Sequence, residues 1–369
     1  MATEKIDLNN LDKSDWKTYR FDEIAQNISE RVDPNNTDLE VYIGLEHIDS
    51  ESLHIKRHGT PDDVNGTKLK FYKGDIIFGR RRAYQRKAGI ATCDGFCSAH
   101  ALVLRANPDV IDPDLFPFFM HSDLFMNRAV DISVGSLSPT INWGTLKHQK
   151  FFIPPKRIQK QLAELFFLKN KLVTNSLDLL DKINTLKLSF VKEVIFEKSK
   201  MEKIEFIPLG SIFDIKTGNK NAQDSVENGE YPFFTRSIET QRIDSYEFDQ
   251  EALILPGEGN FQIKYFNGKF NLHQRTYLLT DNKKHNVNLR LYRDIVQFMV
   301  VELTQKSVGS TVNSLRKPII EAVKIPIIPF TLQDELFTKT SILDKAFIRC
   351  EIQVFNSKAL QSTLVNKVF

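Results

Sequence analysis

The densest cluster of side chains able to do chemistry lies between Gly79 and Gly89, which reads Gly-Arg-Arg-Arg-Ala-Tyr-Gln-Arg-Lys-Ala-Gly. Five of the eight residues from position 80 to 87 are cationic, and they directly follow a short apolar run. Fixed positive charges on a loop are the electrostatic footprint of phosphate binding, and tyrosine or glutamine among them can reach base edges. The alternative is a solvated loop or an internal salt-bridge site. The candidate contacts are Arg80, Arg81, Arg82, Tyr84, Gln85, Arg86 and Lys87.

A second polar stretch runs from Leu255 to Arg275 and mixes glycine with Asn, Gln, His, Lys and Arg. Asparagine, glutamine and arginine can make bidentate contacts with adenine or guanine, so this stretch can also read bases. An ordinary turn and strand explains it equally well. The candidate contacts here are Asn260, Gln262, Lys264, His273 and Arg275.

A short Ser-Val-Gly-Ser motif occurs twice, at 133–136 and at 307–310, and polar residues follow each copy. Small hydroxyl and amide side chains beside glycine suit a close approach to a phosphate backbone. Helix capping and turn formation are the alternative roles. The candidate contacts are Ser136, Ser138, Asn142, Ser310 and Asn313.

Catalytic motifs are not found in the sequence. It has no phosphate-binding Gly-x-x-x-x-Gly-Lys-Ser/Thr loop, no dinucleotide Gly-x-Gly-x-x-Gly, no His-Glu-x-x-His and no Gly-x-Ser-x-Gly. Asp214 and Lys216 match half of a nuclease pattern, and Cys93, Cys97 and His100 lack a fourth zinc ligand nearby. We therefore predict a binding protein with neither catalytic nor metal-ligating residues.

The repeated motif belongs to a longer internal repeat, whose offset is the separation of Ser133 from Ser307. At the same offset Ile153 matches Ile327, Pro155 matches Pro329, and Gln159 matches Gln333. A long stretch with helical periodicity follows each copy. The chain thus reads as two copies of one unit, a globular block followed by a helix.

The two long stretches contain neither glycine nor an internal proline, and apolar residues recur in them every seven positions. This pattern predicts long helices with one apolar seam, preceded by prolines where early helical positions tolerate them. Because each seam is too narrow for a lone helix in water, we expect the helices to pack on one another. The seven-residue rows are Leu165, Leu172, Leu179 and Leu186, and then Leu336, Leu343, Cys350 and Leu364.

The globular blocks contain short apolar runs flanked by Gly, Asn or Asp, which suit strands of a mixed sheet, together with amphipathic helical segments. We therefore predict an α+β fold. The predicted boundaries are a first domain at 1–155, a first long helix at 156–203, a second domain at 204–329 and a second long helix at 330–369.

Composition limits the class of protein and the cellular compartment. The 369 residues are 41% hydrophobic and 26% charged, with a net charge of +3 and three cysteines. No apolar run reaches the roughly 18 residues of a membrane span, and the first residues lack a secretion signal. Three cysteines cannot form a disulfide framework, so we expect a cytoplasmic protein without a membrane partner.

The segments Gly74–Tyr84, Ser133–Ser136 with Leu146, Ile153–Pro155 with Gln159, and Gly268–Phe270 with His273–Arg275 closely resemble specificity subunits of type I restriction–modification systems. The resemblance spans essentially the whole chain. It implies two tandem α/β target-recognition domains, each reading half of a bipartite sequence in double-stranded DNA. It further implies that the two long helices form an antiparallel coiled coil as a spacer.

The same resemblance implies a non-catalytic chain with no cofactor of its own. Two methyltransferase (modification) subunits would dock on the helices, and restriction (translocase) subunits would join the complex. S-adenosylmethionine, ATP and Mg would be bound by those partners. The second block is less basic than the first, and in this the sequence departs from the family pattern.

Two other functions compete with DNA recognition: a stand-alone metal-dependent nuclease and a coiled-coil adaptor without DNA binding.

If the helices act as a ruler, inserting about four residues, or roughly 5–6 Å, should lengthen the DNA spacer by one or two base pairs.

Overall fold

The chain divides into two compact units in a computed structural model that describes residues 7–8, 10–198, 200, 203–237, 239–259, 261–306 and 314–369. The first unit comprises Met1–Ser176 and Gln353–Phe369, and the second comprises Leu177–Ile352. Each long helix therefore contributes one part to each unit. The boundaries predicted from the sequence at 155, 203 and 329 stay a prediction.

The first unit is a mixture of short strands and helices. Its strands are β1 (Lys17–Arg20), β2 (Ala25–Ile28), β3 (Arg31–Val32), β4 (Tyr42–Ile43), β5 (Lys68–Phe71), β6 (Ile76–Gly79), β7 (Ala88–Ile90), β8 (Gly95–Cys97), β9 (Ala101–Ala106) and β10 (Lys150–Ile153). Its helices are α1 (Phe21–Ile24), α2 (Phe116–His121), α3 (Asp123–Asp131), α4 (Trp143–Leu146) and the first part of α5 (Lys156–Glu193).

The central sheet of this unit has the antiparallel order β2-β9-β6-β7. Strand β6 is buried at every position because both faces of the sheet are covered. Ile77 packs in a cluster with Phe71 of the second sheet, β3-β5-β8-β4. Phe78 packs with Phe119 and Phe125 of α2 and α3 in the larger core. Burial on both faces explains why β6 is a continuous apolar run without alternation.

The second unit repeats this plan. Its strands are β11 (Phe206–Pro208), β12 (Phe213–Thr217), β13 (Tyr231–Phe234), β14 (Gln241–Ile243), β15 (Phe248–Pro256), β16 (Lys264–Leu272), β17 (Thr276–Asp281) and β18 (Lys324–Pro326). Its helices are α6 (Leu289–Lys306), α7 (Lys317–Ala322) and the first part of α8 (Phe330–Val368).

The sheet of the second unit has the order β12-β17-β15-β16-β13-β14, and its first four strands correspond to β2-β9-β6-β7. Strands β11 and β18 form an antiparallel pair just before α8, as β1 and β10 do before α5. The internal repeat predicted from the sequence is therefore a repeat of topology.

The junction between strand and long helix is held in both units by the same buried glutamine. In the first unit the amide of Gln159 donates to the carbonyls of Val110 and Pro154, and its oxygen accepts the Asp112 N–H at 2.6 Å. Gln333 donates to the carbonyls of Asn286 and Ile328 and accepts the Asn288 N–H at 2.6 Å. Both side chains are at most 1% exposed, so each glutamine satisfies buried backbone groups that would otherwise lack partners.

The two long helices follow the predicted periodicity, although the leucine row of α5 does not face the core. Leu172, Leu179 and Leu186 are 51%, 49% and 57% exposed, whereas Phe166 and Val173 are buried. The inward row therefore lies one position after the leucine row. In α8 the predicted row does point inward, since Leu336 and Cys350 are buried and Leu343 and Leu364 are half-buried.

Within the second unit the helices run in opposite directions. Lys187 of α5 donates to Asp344 of α8. Val191, four residues after Lys187, shares a core cluster with Leu336, which lies eight residues before Asp344. The predicted α+β fold with an antiparallel pair of long helices is confirmed. Within the described ranges, no helix combines the length and the apolar character that a membrane span requires.

Candidate nucleic-acid interface

The basic loop of the first unit connects β6 to β7 and has a fixed backbone. The Gly79 N–H donates to the Lys87 carbonyl at 2.9 Å and closes the loop. Between them, Arg82 and Arg86 adopt left-handed conformations, with φ of 57° and 51°, on either side of a 3-10 turn at Ala83–Gln85. Ala83 is buried, so the turn is anchored from below while the charged side chains lie around it.

Three of the five cations in this loop are held by acidic side chains or backbone carbonyls of the protein. Arg86 forms ion pairs with Glu51 and Asp123 at 3.2 and 2.8 Å, and it also donates to the His121 carbonyl. Lys87 donates to the Leu45 carbonyl at 2.7 Å, and Arg80 donates to the Ala99 carbonyl at 3.2 Å. These contacts make the ends of the loop rigid.

The remaining cations are presented to solvent. Arg81 and Arg82 are both exposed, and neither has an acidic partner in the part of the chain that the structure describes. Tyr84, on the turn beside them, is 55% exposed. Gln85 is half-buried, and its carbonyl accepts the Ser50 hydroxyl. The loop thus presents two guanidinium groups and one phenol on a supported backbone.

The first Ser-Val-Gly-Ser segment packs against this loop. The Arg82 N–H donates to the Pro139 carbonyl at 2.7 Å, and the Ile141 N–H donates to the Arg80 carbonyl at 2.9 Å. Arg81 forms a backbone bridge with Thr140, and its guanidinium donates to the Ser138 hydroxyl at 3.2 Å.

The outer part of the segment is open to solvent. It turns at Gly135, whose φ is +118°, and Ser136 and Asn142 are exposed. The structure therefore brings Ser138 and the arginines of the basic loop together on one surface of the first unit.

The second unit has a counterpart of this contact. The Leu315 N–H donates to the Gly257 carbonyl at 2.8 Å, and Ser314 forms a backbone bridge with Glu258. At the offset of the repeat, Ser314 matches Thr140 and Leu315 matches Ile141. Glu258 therefore occupies the bridge position that Arg81 occupies in the first unit.

Two arginines surround Glu258. One carboxylate oxygen, Oε2, accepts from Arg236 Nη1 at 2.8 Å, and the other, Oε1, accepts from Arg275 Nη1 at 2.5 Å. The hydrogen bond from Arg236, with the charge of Arg275, holds the pKa of Glu258 below its usual range. The arginine side chains are 48% and 58% exposed, so the second unit also presents two guanidinium groups.

The other candidates in the second unit lie at different depths. Gln262 and Lys264 line an open groove of about 410 Å³ with Phe234, Tyr265 and Phe266, and Lys264 donates to the Thr240 hydroxyl at 3.1 Å. His273 is buried, and its Nδ1 accepts the Arg275 N–H at 3.0 Å. Burial, together with Arg236 and Arg275, lowers the pKa of His273. It therefore supports the backbone of Arg275. Asn260, Ser310 and Asn313 lie outside the described residues.

A family model described as the type I restriction modification DNA specificity domain matches this chain twice, at residues 13–185 and 201–354. The chain belongs to this family. A curated relative, the EcoDI specificity subunit of Escherichia coli, is 31% identical over 121 residues, which are 33% of this chain. The match spans 27% of that relative's length.

Two solved structures resemble this specificity subunit over nearly its whole length. The type I restriction–modification S subunit from M. genitalium has a TM-score of 0.60 at 16% identity, with 98% of each chain covered. A chain from a structure on complex assembly and conformational transition of the type I system has a TM-score of 0.55 at 17% identity, with 96% of this chain and 97% of that chain covered. At these identities the likeness establishes a shared fold.

Specificity subunits of type I systems are non-catalytic. In this specificity subunit, no cluster of three or more His, Cys, Asp or Glu that could hold a metal occurs among the described residues. Asp214 is an exposed position of β12. Cys97 is buried, which raises the pKa of its thiol to about 12, whereas Cys93 is exposed.

Sequence reasoning missed Glu258 and Arg236. A signal for Glu258 existed, because Gly257 and Glu258 follow β15 as Arg80 and Arg81 follow β6, and the two loops differ there in sign of charge. Arg236 had no such signal. It lies 22 residues before Glu258, and only the sheet brings the two together.

Proposed function

We propose that this specificity subunit recognises double-stranded DNA and that each unit reads one half of a bipartite target. The observation that carries the proposal is the repeated interface: in both units, the loop at the same end of the same strand is the centre of a surface with two exposed arginines. Arginine pairs bidentately with phosphate and with guanine. A fixed backbone orients the arginines for such contacts, which a loop that is only solvated does not require.

The first unit contributes contacts of both kinds. Arg81 and Arg82 suit phosphates or guanine edges, and Tyr84 offers a hydroxyl and a ring. Ser136, Ser138 and Asn142 suit the backbone of the duplex at close range. The anchored residues Arg80 and Lys87 bind neutral carbonyls and so add positive potential around them, which favours DNA without direct contact, whereas Glu51 and Asp123 offset the charge of Arg86. In the second unit Arg275, Gln262 and Lys264 take the corresponding roles.

The long helices are the proposed scaffold. The exposed leucines of α5 are Leu168 and Leu172 in the first unit and Leu179, Leu186 and Leu188 in the second. Apolar side chains repeated along a helix favour docking of partner helices, because exposing them to water is unfavourable. We assign this surface to two modification subunits, with restriction subunits joining the complex in the cytoplasm. S-adenosylmethionine, ATP and Mg would be bound by those partners.

The test is DNA binding by the chain assembled with its modification subunits. The double variant Arg81→Ala, Arg82→Ala removes two cationic contacts, so affinity for a duplex carrying the target should fall by about tenfold or more. The slope of log affinity against log salt should also become shallower by about 2. Fluorescence anisotropy across a range of salt concentrations measures both.

A matched control is the double variant Lys17→Ala, Lys150→Ala, which removes two exposed cations of the β1–β10 pair. It should leave affinity and salt slope near those of the unaltered complex. Equal losses in the two double variants would mean that net charge alone attracts DNA. An unaffected arginine variant would remove the first unit's loop from the interface.

A further inference from the structure

The acidic residue at the rim of the second unit is out of place in a surface that binds a polyanion. Glu258 occupies the bridge position that is Arg81 in the first unit, so the two interfaces carry opposite charge at this point. A carboxylate near phosphates is repelled, which lowers affinity. Its presence needs a compensating role.

The geometry around Glu258 supplies one. Its two oxygens bind different guanidinium groups, those of Arg236 and Arg275. The carboxylate is only 18% exposed, whereas both arginines are about half exposed. Each arginine uses Nη1 for the carboxylate, and this leaves Nη2 and Nε of the guanidinium for another partner.

The backbone on both sides of this cluster is also fixed. The Leu315 N–H donates to the Gly257 carbonyl, and the Arg275 N–H donates to the buried His273 ring. The Gly257 N–H donates in turn to the Arg275 carbonyl at 2.9 Å, so the carboxylate and one of its arginines lie on backbones that bind each other. The backbone of Arg275 is thereby fixed before any ligand arrives, and the carboxylate ties the guanidinium of Arg236 to the same cluster.

We propose that Glu258 is a positioning residue that holds Arg236 and Arg275 as the base-reading groups of the second unit, and that these arginines select guanines in one block of the target. The proposal rests on the proposed function, in which the second unit reads DNA. Arginine reads guanine O6 and N7 through two parallel hydrogen bonds, which require a fixed orientation of the guanidinium. Unlike a contact to phosphate, such a contact depends on orientation as well as on charge.

The proposal predicts that removal of the carboxylate strengthens non-specific DNA binding and weakens discrimination between bases. The variant Glu258→Gln removes one negative charge, so the affinity for random duplex should increase and should depend more steeply on salt concentration. The amide keeps only one acceptor oxygen, so at least one of the two arginines loses its fixed orientation, and discrimination at its guanine should fall by at least about fivefold. A simple surface ion pair would give the first effect without the second.

The experiment is modified-base sequencing of DNA from cells that express the chain with its modification and restriction subunits. With Glu258→Gln, one or two guanine positions in a single block of the methylated motif should become degenerate, while the other block and the spacer stay unchanged. Anisotropy with random duplex should show tighter binding by the same complex. Glu227→Gln, which neutralises an exposed acid of the same unit, is the matched control and should change neither block.

Arg275→Lys and Arg236→Lys keep the charge but cannot bind bidentately, and they should relax the same positions. They also test the proposal if the glutamine variant fails to fold. An unchanged motif in Glu258→Gln and in both lysine variants would overturn the proposal and leave the proposed function standing. If the unaltered chain directs no bipartite motif, the proposed function itself fails.

Discussion

At the scale of single residues, the contacts that matter most are those that recur. Gln159 and Gln333 make the same three kinds of hydrogen bond in the two units, joining the start of a long helix to a segment earlier in its unit. The sequence showed both glutamines at the repeat offset. It could not show that their amides are buried, because the partner carbonyls of Val110 and Asn286 come from distant segments of the chain.

We predict that Gln159→Ala and Gln333→Ala each lower the free energy of unfolding by about 2–4 kcal/mol, since buried backbone groups lose their partners. Of the two tryptophans, Trp16 lies in the core of the first unit, and Trp143 is partly buried against that core. Urea unfolding followed by tryptophan fluorescence should therefore show the loss for Gln159→Ala and only a small change for Gln333→Ala. Far-ultraviolet circular dichroism should show both losses.

The control is Gln353→Ala, an exposed glutamine of α8, which should change stability by less than about 0.5 kcal/mol. A loss for Gln159→Ala no greater than in this control would mean that the junction is held by apolar packing alone.

For the basic loop, the sequence predicts the cations but not their availability to a ligand. Clustered arginines are visible in the sequence, and so is their position after an apolar strand. Which of them are available to a ligand is not. Arg86 is engaged by Glu51 and Asp123, which lie in other segments of the chain, so only the fold separates it from Arg82.

At the scale of elements, periodicity predicts the two long helices but not the inward face of α5. The leucine row is the more regular one in the sequence, but it is exposed. The face that packs inward contains polar residues: Asn170 and Ser176 are buried, and Lys187 pairs with Asp344 and Asp294. A polar residue at an inward position fixes the register between helices at some cost in stability. Hydrophobicity alone therefore selects the wrong row.

The helices also carry the prediction of a molecular ruler. Seven residues inserted into both α5 and α8 at facing positions keep the inward rows in phase and add about 10 Å of helix. The spacer of the methylated motif should lengthen by about three base pairs, with both specified blocks unchanged. Modified-base sequencing measures the spacer directly. An unchanged spacer in a chain that still directs methylation would contradict the ruler.

An insertion of seven residues into α5 alone is the control for the ruler. It shifts the facing rows by two turns and separates Lys187 from Asp344 if placed before position 187. Methylation should then fall without a new, longer motif. A longer spacer from the single insertion would mean that α5 alone sets the distance.

At the scale of the whole molecule, the internal repeat is what the sequence established most firmly. The same order of four strands in the two central sheets, the same closing strand pairs and the same glutamine junctions all follow from it. The two interfaces nevertheless differ in charge at one bridge position. Such a difference is what two units need if they are to read different halves of one target.

DNA recognition by this chain is tested most directly by modified-base sequencing of host DNA with and without the chain, with the partner genes intact. We predict that methyladenine disappears from one bipartite motif, two short specified blocks around a fixed gap, when the chain is removed. An unchanged pattern of methylation, with the partner subunits shown to be expressed, would contradict DNA recognition and favour the adaptor.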